Sequence, residues 1–418
     1  MKNKQANNQY TNDKNILGNY GNIILLSNVG SKKDEELPFS YLNPLWKNPH
    51  DYREKTLKKL GEILYFPHKP FVPEPRVKKT YTMDNLYIEL LEWTLPYGPP
   101  TEAFFLKPSR HRGKLPGILL LHDHGGFKYF GKSKVVKIKD KLHPLIEEHQ
   151  KKYYGGRAIA NELAKQGYGV LVPDIFTFES RKLDYKLVPQ IVIDRILQPP
   201  DKHEELTPEK IEQIECTGFS LDLQNEDSGI IQLYNSISQP YEDIIAKSLL
   251  SMGFCWPALI LFEDTCALNY LLSRDDIDSG RIGCCGLSGG GLRTNLIGGI
   301  DERIICTVTA GFMSTWKDFA SNICFTHTWM LYIPELPRMM DYPQILGLRA
   351  PSPAMVLATE KDPLFTLNEV KVASEKIREI YRKMGAPDNF CFKIFPGGHK
   401  FDKSMQETAF EWLNKFLK

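Results

Sequence analysis

Ser288 stands in Gly286-Leu287-Ser288-Gly289-Gly290, directly after the run Arg281-Ile282-Gly283-Cys284-Cys285. A serine hydroxyl is a weak nucleophile at neutral pH. It attacks a carbonyl only when a base takes its proton and hydrogen-bond donors meet the oxyanion that forms. Glycines on both sides suit a sharp strand-to-helix turn. Such a turn lifts the hydroxyl above a sheet edge and leaves helix N–H groups free to meet negative charge. The chemistry of such a site is acyl transfer. The competing reading is a glycine-rich turn carrying an ordinary solvent-exposed serine.

The base should be a histidine, and in a strand–turn–helix site the chain order is serine, acid, histidine. Of ten histidines, only His327 and His399 follow Ser288. His399 ends Phe395-Pro396-Gly397-Gly398-His399, between an apolar run and the last helix. That is a loop at the carboxyl edge of a sheet, where ligands bind in open α/β folds. His327 lies in an aromatic stretch and reads as a packed or substrate-side residue. The acid should follow the run at 354–358, which leads into Thr359-Glu360-Lys361-Asp362-Pro363. Asp362 is favoured because the proline after it fixes the turn; Glu360 is the alternative.

Oxyanion donors are expected from the N–H of Gly289 and from one N–H among Gly125, Gly126 and Phe127. These three follow His122-Asp123-His124, in the loop after the apolar run 118–121. His122 and His124 also have a spacing that could ligate zinc, with Asp174 as a third ligand. The chain offers no second histidine cluster to complete such a centre, so chemistry without metal or cofactor is expected. The plainer role for both histidines is to anchor the loop. Trp316, Phe325, Trp329 and Tyr332 lie in a segment that could wall a pocket. We take His124, Trp316, His327 and Trp329 as candidate substrate contacts; the competing reading for the aromatics is core packing.

Repeated strand–helix units must position these residues. The continuous apolar run at 118–121 predicts a strand buried on both faces, 170–172 reads as the next buried strand, and 281–285, 304–308, 354–358 and 390–394 read as further strands; their alternation with helices predicts a mostly parallel sheet flanked by helices. Residues 86–95 and 103–106 read as an antiparallel pair. Helices are expected at 49–64, 156–166, 243–273 and 403–417. Residues 1–80 read as a mobile arm (1–35) and a helical extension, and 81–418 as the catalytic domain. Residues 183–240 read as an insertion after the fourth strand, a candidate lid or a plain surface excursion.

Composition narrows the classes further. Lys and Arg number 53 against 51 Asp and Glu, a balance without the basic excess of a nucleic-acid binder. The Lys run at 132, 134, 137, 139 and 141 reads as a solvated face. No run of about 18 apolar residues suggests a membrane span. The N-terminus has no apolar stretch of the secretory kind, and the eight cysteines form no Cys-x-x-Cys pair. Free thiols in a reducing cytoplasm are the expectation. A homo-oligomer is compatible with the sequence.

The His-x-His-Gly-Gly loop at 122–126, the Gly286–Gly290 turn, Glu360-Lys361-Asp362-Pro363-Leu364-Phe365 and Gly397-Gly398-His399 together resemble the α/β-hydrolase superfamily. The similarity covers roughly 80–418 and is greatest to its dienelactone-hydrolase-like and acetylxylan-esterase-like branch. It implies Ser288 as nucleophile, Asp362 as acid and His399 as base. It also implies a metal-free esterase acting on a small-molecule or oligosaccharide ester, with acetyl as the acyl group suggested by the branch. Dienelactone hydrolases proper use cysteine, so serine at 288 argues against that substrate. The alternatives are a peptidase or thioesterase on the same triad, a metal hydrolase using His122 and His124, and a hydrolase fold serving only as a binding module.

Overall fold

The computed structural model describes residues 33–189 and 227–418, with 16, 17, 23, 29, 192, 193 and 196. Nine strands form one sheet: β1 Arg76–Met83, β2 Leu86–Trp93, β3 Thr101–Pro108, β4 Leu115–Leu121, β5 Gly169–Pro173, β6 Ile277–Leu287, β7 Cys306–Ala310, β8 Ala354–Thr359 and β9 Phe390–Phe395. Their spatial order is β1-β2-β3-β5-β4-β6-β7-β8-β9. The pairs from β1 to β5 are antiparallel, and those from β5 through β9 are parallel. Parallel strands need crossovers, and the helices that supply them cover both faces.

Alternation along β4 shows the layering. Ile118 and Leu120 pack with Leu163, Phe410 and Leu413 on one face. Leu119 and Leu121 pack with Leu268, Leu271 and Ile297 on the other. The run is therefore apolar throughout because each face meets a helix layer.

The helices that bear on the site are α1 Pro49–Ile63, α2 Pro144–Tyr154, α3 Ile159–Lys165, α4 Ser228–Ser251, α5 Trp256–Ser273, α6 Gly289–Ile300, α7 Leu367–Lys383 and α8 Lys403–Leu417. Asn48 caps α1 by accepting from His50 N (2.8 Å), with Pro49 in the first turn. Arg53 then reaches the carbonyls of Gly299 (3.3 Å), Ile300 (3.1 Å) and Leu348, so α1 docks on the C-terminal end of α6.

Several expectations shift. β1 was not anticipated: its residues are mostly exposed or half-buried and present no apolar face to read. As an edge strand carrying Lys78 and Lys79 it needs none. It crosses the boundary expected at 80/81, and five strands rather than four precede residue 183. The stretch expected as one helix over 243–273 is two helices bent by 90°. Gly253 (φ +88°) lies between them and Pro257 sits in the first turn of α5, and α4 begins at Ser228 and continues through Pro240. The last part of the expected insertion is thus helix. Most of 190–226, and of the arm at 1–35, lies outside the described residues. No single helix among the described residues is long and apolar enough to cross a membrane.

Helix α6, whose first turn follows Ser288, is locked to α5 by a buried two-pronged ion pair. Arg293 Nε and one terminal nitrogen donate to the two Asp264 oxygens at 3.0 and 2.6 Å. Removing one member leaves an unpaired buried charge, so Arg293→Met should lower stability by about 3–5 kcal/mol. Adding Asp264→Leu should recover much of that loss. Urea unfolding of the three proteins checks this; an Arg293→Met protein as stable as the parent would refute it.

Candidate active site

Ser288 sits between β6 and α6 with φ +56° and ψ −117°, a backbone conformation that residues with a side chain seldom adopt. Two hydrogen bonds hold it: Ser288 N donates to Ala310 O (2.9 Å), and Leu292 N donates to Ser288 O (2.8 Å). The turn is tight enough to demand glycine nearby. A Cβ on Gly290 would fall 1.9 Å from Leu121 O, and one on Gly289 would fall 2.9 Å from the backbone nitrogen of His124. The spacing seen in the sequence is therefore a packing requirement, with the start of α6 pressed against the loop after β4.

His399 Nδ1 donates to Asp362 Oδ2 at 2.7 Å. The other Asp362 oxygen accepts from Leu364 N (3.0 Å), which fixes the carboxylate in its turn. With Nδ1 carrying its proton toward Asp362, Nε2 is left as the acceptor, and it is buried with no partner among the described residues. Glu360, the alternative acid, is exposed at the surface. Ser288, Gly289 and His399 line one cavity of about 360 Å³.

The loop after β4 supplies the opposite wall, but differently from the expectation. Gly126 N donates to His124 Nδ1 (3.1 Å) and Phe127 N donates to His124 O (3.1 Å), so both amides are engaged. Phe127 packs against Phe130 and His149 instead of lining the cavity. Below the loop, Lys134 Nζ gathers the carbonyls of Asp123 and His124 (3.2 Å to the latter), and His122 Nδ1 adds a bond to Asp123 O at 3.0 Å. A trans peptide carries its N–H opposite its carbonyl. Fixing those two carbonyls on the buried side turns the N–H groups of His124 and Gly125 the other way, and both residues line the cavity. Of the loop amides, those of Gly126 and Phe127 are thus bonded to His124, and those of His124 and Gly125 are turned away from the buried side.

The ring of His124 is also committed. Because Nδ1 accepts from Gly126, Nε2 must carry the proton, and it donates to Glu242 Oε1 at 2.7 Å. His122 is buried, and burial together with nearby Lys134 and Arg293 holds its pKa well below the usual histidine range. Its Nδ1 faces a carbonyl and Asp174 is taken up by Lys132, so these three residues do not converge as metal ligands. No cluster of three or more ligating side chains exists among the described residues.

Part of the lysine run departs from the expected solvated face: Lys132 and Lys134 are buried, while Lys137 and Lys139 are partly exposed and Lys141 is exposed. Lys128, Lys132 and Lys134 are buried beneath this loop. Lys132 Nζ meets Asp174 (2.8 Å), Glu179 (2.7 Å) and Glu102 (3.0 Å), while Lys128 Nζ meets Glu242 (2.7 Å) and Thr177 (3.0 Å). Asp123 is held ionised although burial opposes it, because His149 and Lys134 face it and Tyr154 donates at 2.6 Å.

Of the four candidate substrate contacts, His124, His327 and Trp329 line the cavity and Trp316 does not. Trp316 is buried and lines a separate apolar cavity of about 320 Å³, to which Trp329 also belongs. Phe325 also lines it, as do Tyr153, Gln239, Glu242, Asp243, Phe312, Thr326, Thr328 and Leu364, which were not anticipated as walls. Glu242 is the most informative of these. It lies 118 residues from His124 on a helix whose sequence has no motif, so no local pattern could have found it.

No family model matches the chain. YtaP of Bacillus subtilis, provisionally named a hydrolase, is 23% identical over 318 residues, 75% of this chain and 83% of that protein. A solved Bacteroides fragilis protein provisionally named an acetyl xylan esterase superposes with a TM-score of 0.62 at 16% identity, covering 92% of this chain and 84% of its own. A glucuronoyl esterase from Solibacter usitatus superposes with a TM-score of 0.55 at 14% identity, covering 88% and 94%. With the sheet order and the turn at Ser288, these likenesses show the α/β-hydrolase fold.

His327 packs among Phe312, Phe319 and Phe365 at 4.9–5.7 Å, and burial lowers its pKa to about 4. It stays neutral in the folded chain but takes a proton in the unfolded chain below about pH 6.5. Its stabilising effect is therefore complete above that pH and is lost as pH falls toward 4. Urea midpoints between pH 7 and 4.5 should fall less steeply for His327→Phe than for the parent; parallel profiles would refute the assignment.

Proposed function

We propose that the chain is a serine hydrolase of carboxylic esters using Ser288, His399 and Asp362. The observation that carries this reading is one cavity lined by a serine on a strained strand–helix turn and by a histidine whose far nitrogen is bonded to a carboxylate. The names of the structural relatives, acetyl xylan esterase and glucuronoyl esterase, support an ester as substrate and a carbohydrate as its setting.

In this mechanism His399 Nε2 takes the Ser288 proton as Oγ attacks the ester carbonyl. Asp362 steadies the imidazolium without itself taking the proton. The carbonyl oxygen becomes an oxyanion between Gly289 N–H and an N–H of His124 or Gly125. Collapse breaks the bond to the alcohol oxygen, which leaves with the proton from His399, and Ser288 holds the acyl group. Water then attacks in the same way, His399 taking its proton and passing it to Ser288 Oγ as the acyl–Oγ bond breaks and the acid is released. Each oxyanion donor typically contributes about 3 kcal/mol to the transition state.

The walls bear on the substrate. The described lining residues include no lysine or arginine; Glu242 is paired with Lys128, Asp243 adds a carboxylate that accepts from Trp329 Nε1 (2.6 Å), and Tyr153, Gln239, Thr326 and Thr328 add neutral polar groups. Such a site suits a neutral, hydroxyl-bearing ester and opposes an anionic one. Buried unpaired cysteines such as Cys284 and Cys285 support a cytoplasmic location.

Exposure to a fluorophosphonate followed by mass spectrometry should give one adduct, mapped to Ser288 and absent from Ser288→Ala. His399→Ala should label at least about a thousandfold more slowly. Folded parent protein that takes no label would sink the reading. A neutral acetyl ester should exceed its carboxylate-bearing analogue in kcat/KM by at least about tenfold; an equal or reversed preference would refute the substrate assignment.

A further inference from the structure

The cluster that the reaction does not consume but that touches most of the site is centred on Glu242. Its carboxylate is buried and accepts four times. Oε1 takes His124 Nε2–H (2.7 Å) and the Lys128 ammonium (2.7 Å), and Oε2 takes the Thr328 hydroxyl (2.7 Å) and Trp329 N (3.4 Å). Burial alone would favour the neutral acid, but Lys128 and His124 outweigh it and keep the group ionised.

Two consequences follow from those bonds. The His124 ring is pinned at both nitrogens, by Glu242 at Nε2 and by Gly126 N–H at Nδ1, so the ring cannot turn without losing two hydrogen bonds. The backbone of the same residue lies against Gly289, where a Cβ would approach His124 N to 2.9 Å. The carboxylate on α4 is thus one bonded contact away from the turn whose N–H groups face the cavity. Thr328 and Trp329, from a distant segment that also lines the cavity, bond the same carboxylate, so a single anion ties two lining segments together.

We infer that Glu242 is a positioning residue for the oxyanion turn, holding the His124 ring so that the amides at 124 and 125 stay aimed above Ser288. The inference rests on the serine-esterase reading for its catalytic meaning, though the anchoring itself does not. A neighbour that orients a reacting group commonly contributes 10–100-fold to activity, and a displaced oxyanion donor costs about 10²-fold or more. The effect should appear in kcat, because the donor acts on charge present only in the transition state.

The test compares variants chosen to keep the fold. Glu242→Leu is combined with Lys128→Met, so that neither buried charge is left unpaired. Glu242→Gln keeps an acceptor oxygen for His124. His124→Phe keeps the Glu242–Lys128 pair and fills the ring's space. The double variant and His124→Phe should each lower kcat on p-nitrophenyl acetate, and the rate of Ser288 phosphonylation, by about 10²-fold, with KM within about threefold. Glu242→Gln should restore at least about tenfold of that. Hydrogen exchange in the peptide spanning 122–127 should quicken at least about tenfold in the double variant. Parental kcat and labelling in folded His124→Phe or in the double variant would overturn the inference, as would unchanged exchange. A parent that never labels at Ser288 would sink the esterase reading instead, while the exchange experiment would still judge the anchor.

Discussion

The backbone at Ser288 is the constraint on which the rest depends. A residue with a side chain is held at φ +56°, and the chain must leave a strand and enter a helix there within one residue. That conformation is unfavourable by roughly 1–3 kcal/mol, so its surroundings must over-determine it. They do so from three sides. β7 supplies the acceptor at Ala310, the carbonyl of Leu121 on β4 presses on Gly290, and the Arg293–Asp264 pair fastens α6 to α5. The parallel order β4-β6-β7 brings those strands together.

Behind the opposite wall lies a buried polar layer. Lys128, Lys132 and Lys134 are each enclosed by carboxylates or carbonyls, and Asp123, Glu179 and Glu242 complete the set. Paired buried charges are a weak source of net stability, because desolvation cancels most of their attraction. Their effect here is geometric. Each ammonium or carboxylate accepts only one arrangement of partners, so the loop after β4 has little freedom to shift its amides. A loop of two glycines with no such support would sample many backbone conformations. The polar layer therefore complements the strained serine: one side fixes Ser288, the other fixes the loop after β4.

Legibility from sequence followed the range of the interaction. Ile118–Leu121 and 354–358 announced buried strands because both faces demand apolar residues. Gly286, Gly289 and Gly290 announced a tight turn because a Cβ would not fit. His399 and Asp362 could be picked out by chain order, and the 2.7 Å contact joins those two residues. β1 was silent because an exposed edge strand has no apolar pattern, and the break between α4 and α5 was masked by continuous apolar text.

What the sequence by itself determined was the set of local demands: where strands must be buried, where only glycine fits, and which titratable residues lie on turns after strands. Tertiary structure alone decided which lysines are buried, that Gly126 and Phe127 spend their amides on His124, and that Glu242 reaches the loop after β4. The reason is physical. A lysine run reads the same whether its partners are water or carboxylates contributed from distant segments. A charge 118 residues away becomes a neighbour only when the sheet and its helices close around it.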